Sequence, residues 1–183
     1  MKKTRTRIGS ILLSLALILT LLPVTALAEE LTEVEYLDEN GKTATCASAT
    51  VVDDTTLTWS DETDSPGWYV VNTDVTIDTR ITVSGNVHLI LTDGHTLTAN
   101  QGISVTSDNS LTIYGQRGNT GELDAELIGT GYGDIGYAGI GGNLGTVDKS
   151  AAVHGDITIN GGTIKVPGGT NAAGIGGGWS SSV

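Results

Sequence analysis

The chain has 183 residues, a formal net charge of −12 and a single cysteine. One cysteine excludes an intrachain disulfide framework. The scatter of its few basic residues excludes the Lys and Arg clusters that neutralise a nucleic-acid backbone, so no nucleic-acid partner is expected.

The first 28 residues read as an export signal. "MKKTRTRIGS" is basic, "ILLSLALILTLLPV" is a short apolar run, and Ala26-Leu27-Ala28 is a small-x-small cleavage site, which places the cut between Ala28 and Glu29. The run from Ile11 to Val24 is interrupted by Ser14, Thr20 and Pro23 and falls short of the roughly 20 residues that span a bilayer. The mature chain is therefore expected to be secreted or wall-associated, with no transmembrane helix. "LPVTA" at 22–26 resembles a sortase signal, but such signals precede a C-terminal hydrophobic tail, and here the match belongs to the leader. The leader's charges, Lys2, Lys3, Arg5 and Arg7, are all positive, so its removal takes the net charge to −16 and leaves only Lys42, Arg80, Arg117, Lys149 and Lys165 as basic residues. Such an acidic surface suits solubility and divalent cations.

Residues 29–66 form an acidic, Thr-rich segment. Asn40-Gly41 lies between two alternating stretches, Val34 to Leu37 and Lys42 to Thr45, which predicts a hairpin. This segment is expected to cover one end of the main body, with Cys46 as a buried or unpaired thiol. Pro66-Gly67 punctuates, and "WYVV" opens that main body, residues 67–183.

From there on apolar residues alternate in very short runs, and glycine, Asn or Asp interrupts them repeatedly, with almost no helical period. The short runs fall into three series. The first is "DVTI" at 74–77, "NVHLIL" at 86–91, "SLTIYG" at 110–115 and "DITING" at 156–161. The second is "TLTA" at 96–99, "ELDA" at 122–125 and "TIKV" at 163–166. The third is "GISV" at 102–105, "AGIGG" at 138–142 and "AGIGG" at 173–177. Their fixed order defines a repeated triplet, with "WYVV", "DVTI" and "RITV" as an earlier, tighter one.

The fold class expected is all-β, a right-handed parallel β-helix of about three to four irregular coils, each of three short strands. A β-sandwich is the alternative. Stacking in register would place Val87 and Leu89 under Leu111 and Ile113, and these under Ile157 and Ile159. His88, Thr112 and Thr158 would then face solvent, and Trp68 would cap the first rung.

"TWSDETDSPGWYVVNTDVTIDTRITVSGNVHLILTDGHTLTANQGISV", followed by "SLTIYGQ", "AGIGG", "ITINGGTI" and "AGIGGG", resembles the N-terminal part of large exported surface proteins of gut-dwelling Gram-positive anaerobes. The likeness runs from about Glu35 to the last residue. It implies a β-helical region followed by more such repeats, further surface domains and a wall anchor, with adhesion or glycan binding as the activity. Some members carry a cysteine at the position of His95, which would pair with Cys46; His95 removes that disulfide here.

Among motifs with chemistry, "GYGDIG" at 131–136 meets the spacing of a dinucleotide loop but is followed by "YAGIGGNLG" rather than a helix, and "AGIGGG" lacks the Lys-Ser/Thr of a phosphate loop. Both read as inter-strand turns, and no cofactor is expected. Asp74, Asp78 and Arg80, or Asp93 with His95, would suit a lyase that binds calcium and abstracts a proton from an acidic polysaccharide. Neither cluster recurs on one face of successive rungs, so no catalytic set is assigned. Asp53, Asp54, Asp61, Glu62 and Asp64 lack the spacing of a calcium loop, and calcium remains the one ion considered. His88, His95 and His154 show no metal-ligand spacing. Trp59 and Trp179 are the aromatic residues expected to stack on a glycan.

The expected function is a non-enzymatic surface module for adhesion or contact with polysaccharide or a cell-surface glycan. The alternatives are a polysaccharide-lyase-like enzyme and a stalk that displays other domains. "AAGIGGGWSSSV" repeats "YAGIGG" as the third strand of a rung, and a solenoid stopping there would leave an uncapped edge. Further repeats or an anchor beyond Val183 are expected.

Overall fold

The computed structural model describes residues 28–62, 67–125, 127, 136–145 and 149–180. The leader and its cleavage site, apart from Ala28 and Glu29 themselves, and most of "GYGDIG" lie outside the described residues. Among these the chain is all-β, with only a short 3-10 turn at Lys149–Ala152.

The hairpin read from Asn40-Gly41 is present. Strands β1 (Glu30–Leu37) and β2 (Thr43–Val51) pair antiparallel, with Val34 opposite Cys46. Between them the Asp38 carboxylate accepts the backbone N–H groups of Lys42 and Asn40, at 2.8 and 2.9 Å. These bonds, the one from Lys42 first, hold its carboxyl below the usual carboxylate range. Gly41 sits at φ +71°, a conformation that a residue without Cβ adopts freely.

The remaining strands are β3 (Thr58–Ser60), β4 (Trp68–Val71), β5 (Val75–Ile77), β6 (Ile81–Ser84), β7 (Asn86–Leu91), β8 (Thr96–Ala99), β9 (Ile103–Ser104), β10 (Ser110–Gly115), β11 (Glu122–Asp124), β12 (Ile140–Gly141), β13 (Asp156–Ile159), β14 (Thr163–Lys165) and β15 (Ile175–Gly176). From β4 onward the chain visits three sheets in rotation. The first sheet runs β1-β2-β4-β7-β10-β13, the second β5-β8-β11-β14 and the third β3-β6-β9-β12-β15. Beyond the hairpin every ladder between these strands is parallel. A β-sandwich of hairpin-paired strands does not describe this pairing.

Alternation turns one set of residues into a common core. Val87 pairs with Leu111 and Leu111 with Ile157, while Leu89 pairs with Ile113 and Ile113 with Ile159, the register expected from the repeats. Leu97, Leu123 and Ile164 align in the second sheet, and Ile81, Ile103, Ile140 and Ile175 in the third. Leu89, Leu97, Ile103, Leu111, Ile113, Leu123 and Ile140 are completely buried, each stabilising the fold by about 1.5–3 kcal/mol. In the layer β13 to β15 no further described strand lies above, and Ile159 and Ile175 are exposed.

Two assignments change. "DVTI" forms β5 and belongs to the second sheet, while "WYVV" lies in the first and "RITV" in the third. Short Val/Thr/Ile runs look alike in all three sheets, and only their place in the rotation separates them. Parallel pairing also begins before residue 67. Thr50 and Val51 pair with Tyr69 and Val70, and Thr58 to Ser60 pair with Thr82 to Ser84. The segment 29–66 therefore supplies an additional layer as well as the hairpin.

Several of the acidic residues weighed for chemistry are tied up between layers. Asp61 accepts the N–H of Asn86 at 2.9 Å, and Asp74 that of Thr96 at 2.9 Å. Asp93 accepts from Gly118 and Thr120 at 2.7 and 3.0 Å, bonds that hold its carboxyl below the usual range, Thr120 contributing most. These bonds satisfy N–H groups at the first residues of β7 and β8 and in the turn after β10. Glycine is required where the third sheet is tightest: Gly141 has φ +135°, and a Cβ there would collide with the carbonyl of Gly176.

Candidate functional site

On the outer face of the first sheet, Trp68 pairs with His88, His88 with Thr112 and Thr112 with Thr158. The β1–β2 hairpin leans over this row. Val34, Cys46, Ala49, Val51, Val70, Ile90 and Tyr114 form a second apolar cluster, with Tyr36 and Trp68 packed at its margin. Gln116 donates from Nε2 to the Glu35 carbonyl at 2.9 Å, which ties the hairpin to the turn after β10.

Four rings meet there. Trp68 stacks on His88 with centroids 4.3 Å apart and planes 15° from parallel, and Tyr36 lies 5.0 Å from Trp68 and 4.7 Å from Tyr114. His88 Nδ1 is 3.1 Å from the Tyr114 hydroxyl, and its Nε2 is 3.2 Å from Asn86 Nδ2. Outward-facing His88 is thus partly covered by rings rather than open to solvent.

Burial pushes the His88 pKa below its ordinary value, opposed by the negative charge of Asp61. A histidine with a depressed folded pKa contributes full stability above its unfolded pKa of about 6.5 and loses it as pH falls toward the folded value. Thermal melts between pH 7.5 and 5 should show a falling midpoint that His88→Phe flattens. The same slope in that variant would assign the effect to another group. The low-pKa carboxyls of Asp38, Asp53 and Asp93 act in a separate, more acidic window, losing their contribution as pH falls below the unfolded value of about 3.9.

Neither Trp59 nor Trp68 lies where expected: the first is inside the core and the second is on the outer face. Trp59 is completely buried in the first layer, donates its indole N–H to the Thr56 carbonyl at 3.1 Å and stacks on Tyr69 with centroids 5.5 Å apart. It offers no ring face to a glycan, because β3 pairs with β6 and turns Trp59 inward beside Val83. Trp68 falls on the opposite phase from Tyr69, points outward and lines a pocket of about 390 Å³ with Thr45, Cys46, Ala47 and Ser48. Cys46 itself is buried and donates to the Ser48 carbonyl at 2.9 Å, and burial pushes its thiol pKa up. Trp179 remains exposed near the layer of β15.

A second concavity, of about 570 Å³, follows the corner where the third sheet hands over to the first. Asp61, Asn86, Asp108, Asn109, Ser110, His154 and Asp156 line it. Asn86, Ser110 and Asp156 are in register on successive strands, so the groove runs across the layers. Asn109 anchors it by accepting the Gly85 N–H at 2.8 Å, and Ser110 donates to Asn86 Oδ1 at 2.6 Å.

The residues weighed for lyase chemistry do not converge. Arg80 donates to Asn143 Oδ1 at 2.8 Å and to the Gln101 carbonyl at 2.7 Å, with longer contacts to the carbonyls of Ile103, Gly141 and Gly142. Its guanidinium also lies 5.0 Å from the centre of the Tyr137 ring. Burial lowers its pKa to about 10, so it stays charged at neutral pH. His95 approaches Asp74 at 3.7 Å rather than Asp93, and Asp78 accepts from Asn100. In the acidic loop, Asp53 accepts from Thr55 and Thr56, and Asp64 lies outside the described residues. Among the described residues there is no group of three or more His, Cys, Asp or Glu side chains placed to hold a metal ion. No helix among them is long and apolar enough to cross a membrane.

Sequence reasoning placed His88 outward, as found, but missed the outward phase of Trp68, the ring cluster these two form with Tyr36 and Tyr114, and the corner groove. Strict alternation from the buried Tyr69 would have put Trp68 on the outside as well. The groove had no comparable signal, since Asn, Asp and Ser also mark ordinary turns. Compared with models of protein families, with curated proteins and with solved structures, the chain shows no match.

Proposed function

We propose that the chain is an exported, right-handed parallel β-helical module that contacts glycan along the groove between its third and first sheets. The fixed rotation of strands through three parallel sheets supports the helical reading, and parallel crossovers are right-handed in nearly all proteins. The leader and the resemblance to exported surface proteins support the location.

The groove carries the functional reading. Its hydroxyl, amide and carboxylate groups repeat at strand spacing, about 4.8 Å. A polysaccharide also presents hydroxyl groups at regular intervals, and a row of acceptors and donors on a rigid frame can meet several of them without reordering. Arg80, spent on main-chain carbonyls, is not placed to abstract a proton, so the adhesion reading is preferred to the lyase.

A glycan array followed by calorimetry tests this. Binding of a neutral oligosaccharide is expected, and the double change Asp108→Asn with Asp156→Ala should weaken it about tenfold or more by removing charged acceptors. Asn tolerates the φ of +70° at position 108, so the fold should persist. Absence of binding to any glycan, or release of unsaturated products from pectin, would sink the proposal.

A further inference from the structure

The geometry points to a sugar-stacking subsite on Trp68, in the pocket under the hairpin, that takes a neutral pyranose by its apolar ring face. This rests on the glycan reading above and adds a second contact to the groove. Trp68 is held flat against His88 on one side, at 4.3 Å and 15°. Tyr36 leans on the ring at 5.0 Å and 44°, and Tyr114 lies 5.4 Å away. The part of the ring they leave uncovered lines the pocket of about 390 Å³ with Thr45, Cys46, Ala47 and Ser48 of β2.

Its walls suit a sugar. An aromatic face meets the axial C–H groups of a gluco-configured ring, while Thr45 and Ser48 supply hydroxyls for the ring's equatorial edge. Ser48 already donates to Glu30 at 3.1 Å, which orients its oxygen as an acceptor. The charge of the chain, −12, and the carboxylates of Asp61, Asp108 and Asp156 in the neighbouring groove repel uronic acids and favour a neutral polymer. Asn86 joins the two places: its Oδ1 accepts from Ser110 in the groove, and its Nδ2 lies beside His88 beneath Trp68. Trp59 is sealed in the core, and Trp179 has no companion ring among the described residues.

The test is ¹⁹F NMR on the full chain labelled with 5-fluorotryptophan, with resonances assigned by Trp68→Phe and Trp179→Phe and titrated with cellohexaose and chitohexaose. The Trp68 resonance should shift saturably while that of Trp59 stays fixed, and Trp68→Leu should weaken binding about fivefold to tenfold. Ala47→Trp, at an exposed position on the pocket wall, should block the subsite without disturbing either core. Should the oligosaccharide bind with the Trp68 resonance unmoved and Ala47→Trp without effect, stacking is refuted. Loss of binding on Asp108→Asn with Asp156→Ala would in that case leave the groove reading standing. If neither oligosaccharide nor any other glycan binds, both readings fall.

Discussion

Trp59→Ala is expected to destabilise the protein by about 3–5 kcal/mol, the range for removing a large buried aromatic side chain. Trp59 is the largest side chain in the core with no exposure, and it closes the first layer over Val83 and Tyr69. Its loss would also leave the Thr56 carbonyl without the indole donor. Urea unfolding followed by circular dichroism reads the effect as a fall in midpoint at unchanged slope. Trp179→Ala is the matched control, since a substitution at an exposed position should stay within about 0.5 kcal/mol. Equal losses in the two variants would overturn the assignment of Trp59 to the core.

Arg80→Leu is expected to cost about 2–4 kcal/mol through a different mechanism. The guanidinium reaches carbonyls in two successive layers, Gln101 and Ile103 in one and Gly141 and Gly142 in the next. Ile103, Gly141 and Gly142 are buried, so water does not readily replace the lost donors. Arg80→Lys should recover little, because an ammonium cannot reproduce the planar fork that addresses several carbonyls at once. Hydrogen exchange separates this from general weakening. Amides of β9 and β12 should lose protection first, while those of β7 and β10 keep theirs. Uniform loss would show that Arg80 does not act at that corner.

The repeated layers were legible because a stack of parallel strands places like residues over like. Val87, Leu111 and Ile157 betray their register by their chemistry, and no comparison across distant folds is needed. Asn40-Gly41 likewise announced its hairpin through a backbone demand that few residues meet. The first layer was less legible. "TLTWS" carries the same alternation as later strands, but Asp53 and Asp54 before it and Asp61 and Glu62 after it resemble a solvated loop. The inward Trp59 and the outward Trp68 have one cause: alternation gives two faces without saying which is inside, and only pairing with a known strand sets the phase. The second apolar cluster was hidden for a related reason. Outward positions are expected to be polar, and nothing local to Val70 or Ile90 reveals that a hairpin far upstream will lie across them.

The hydrogen bonds between successive layers run along each sheet, whereas the covalent chain passes from one sheet to the next. A pull along that direction at the two ends would load one layer boundary at a time, in the manner of a zip. A pull on two neighbouring layers across their strands would instead shear several bonds together. The side-chain links made by Asp61, Asp93 and Arg80 cross those same boundaries. They add to the main-chain ladders at the corners, where peeling of a layer would begin.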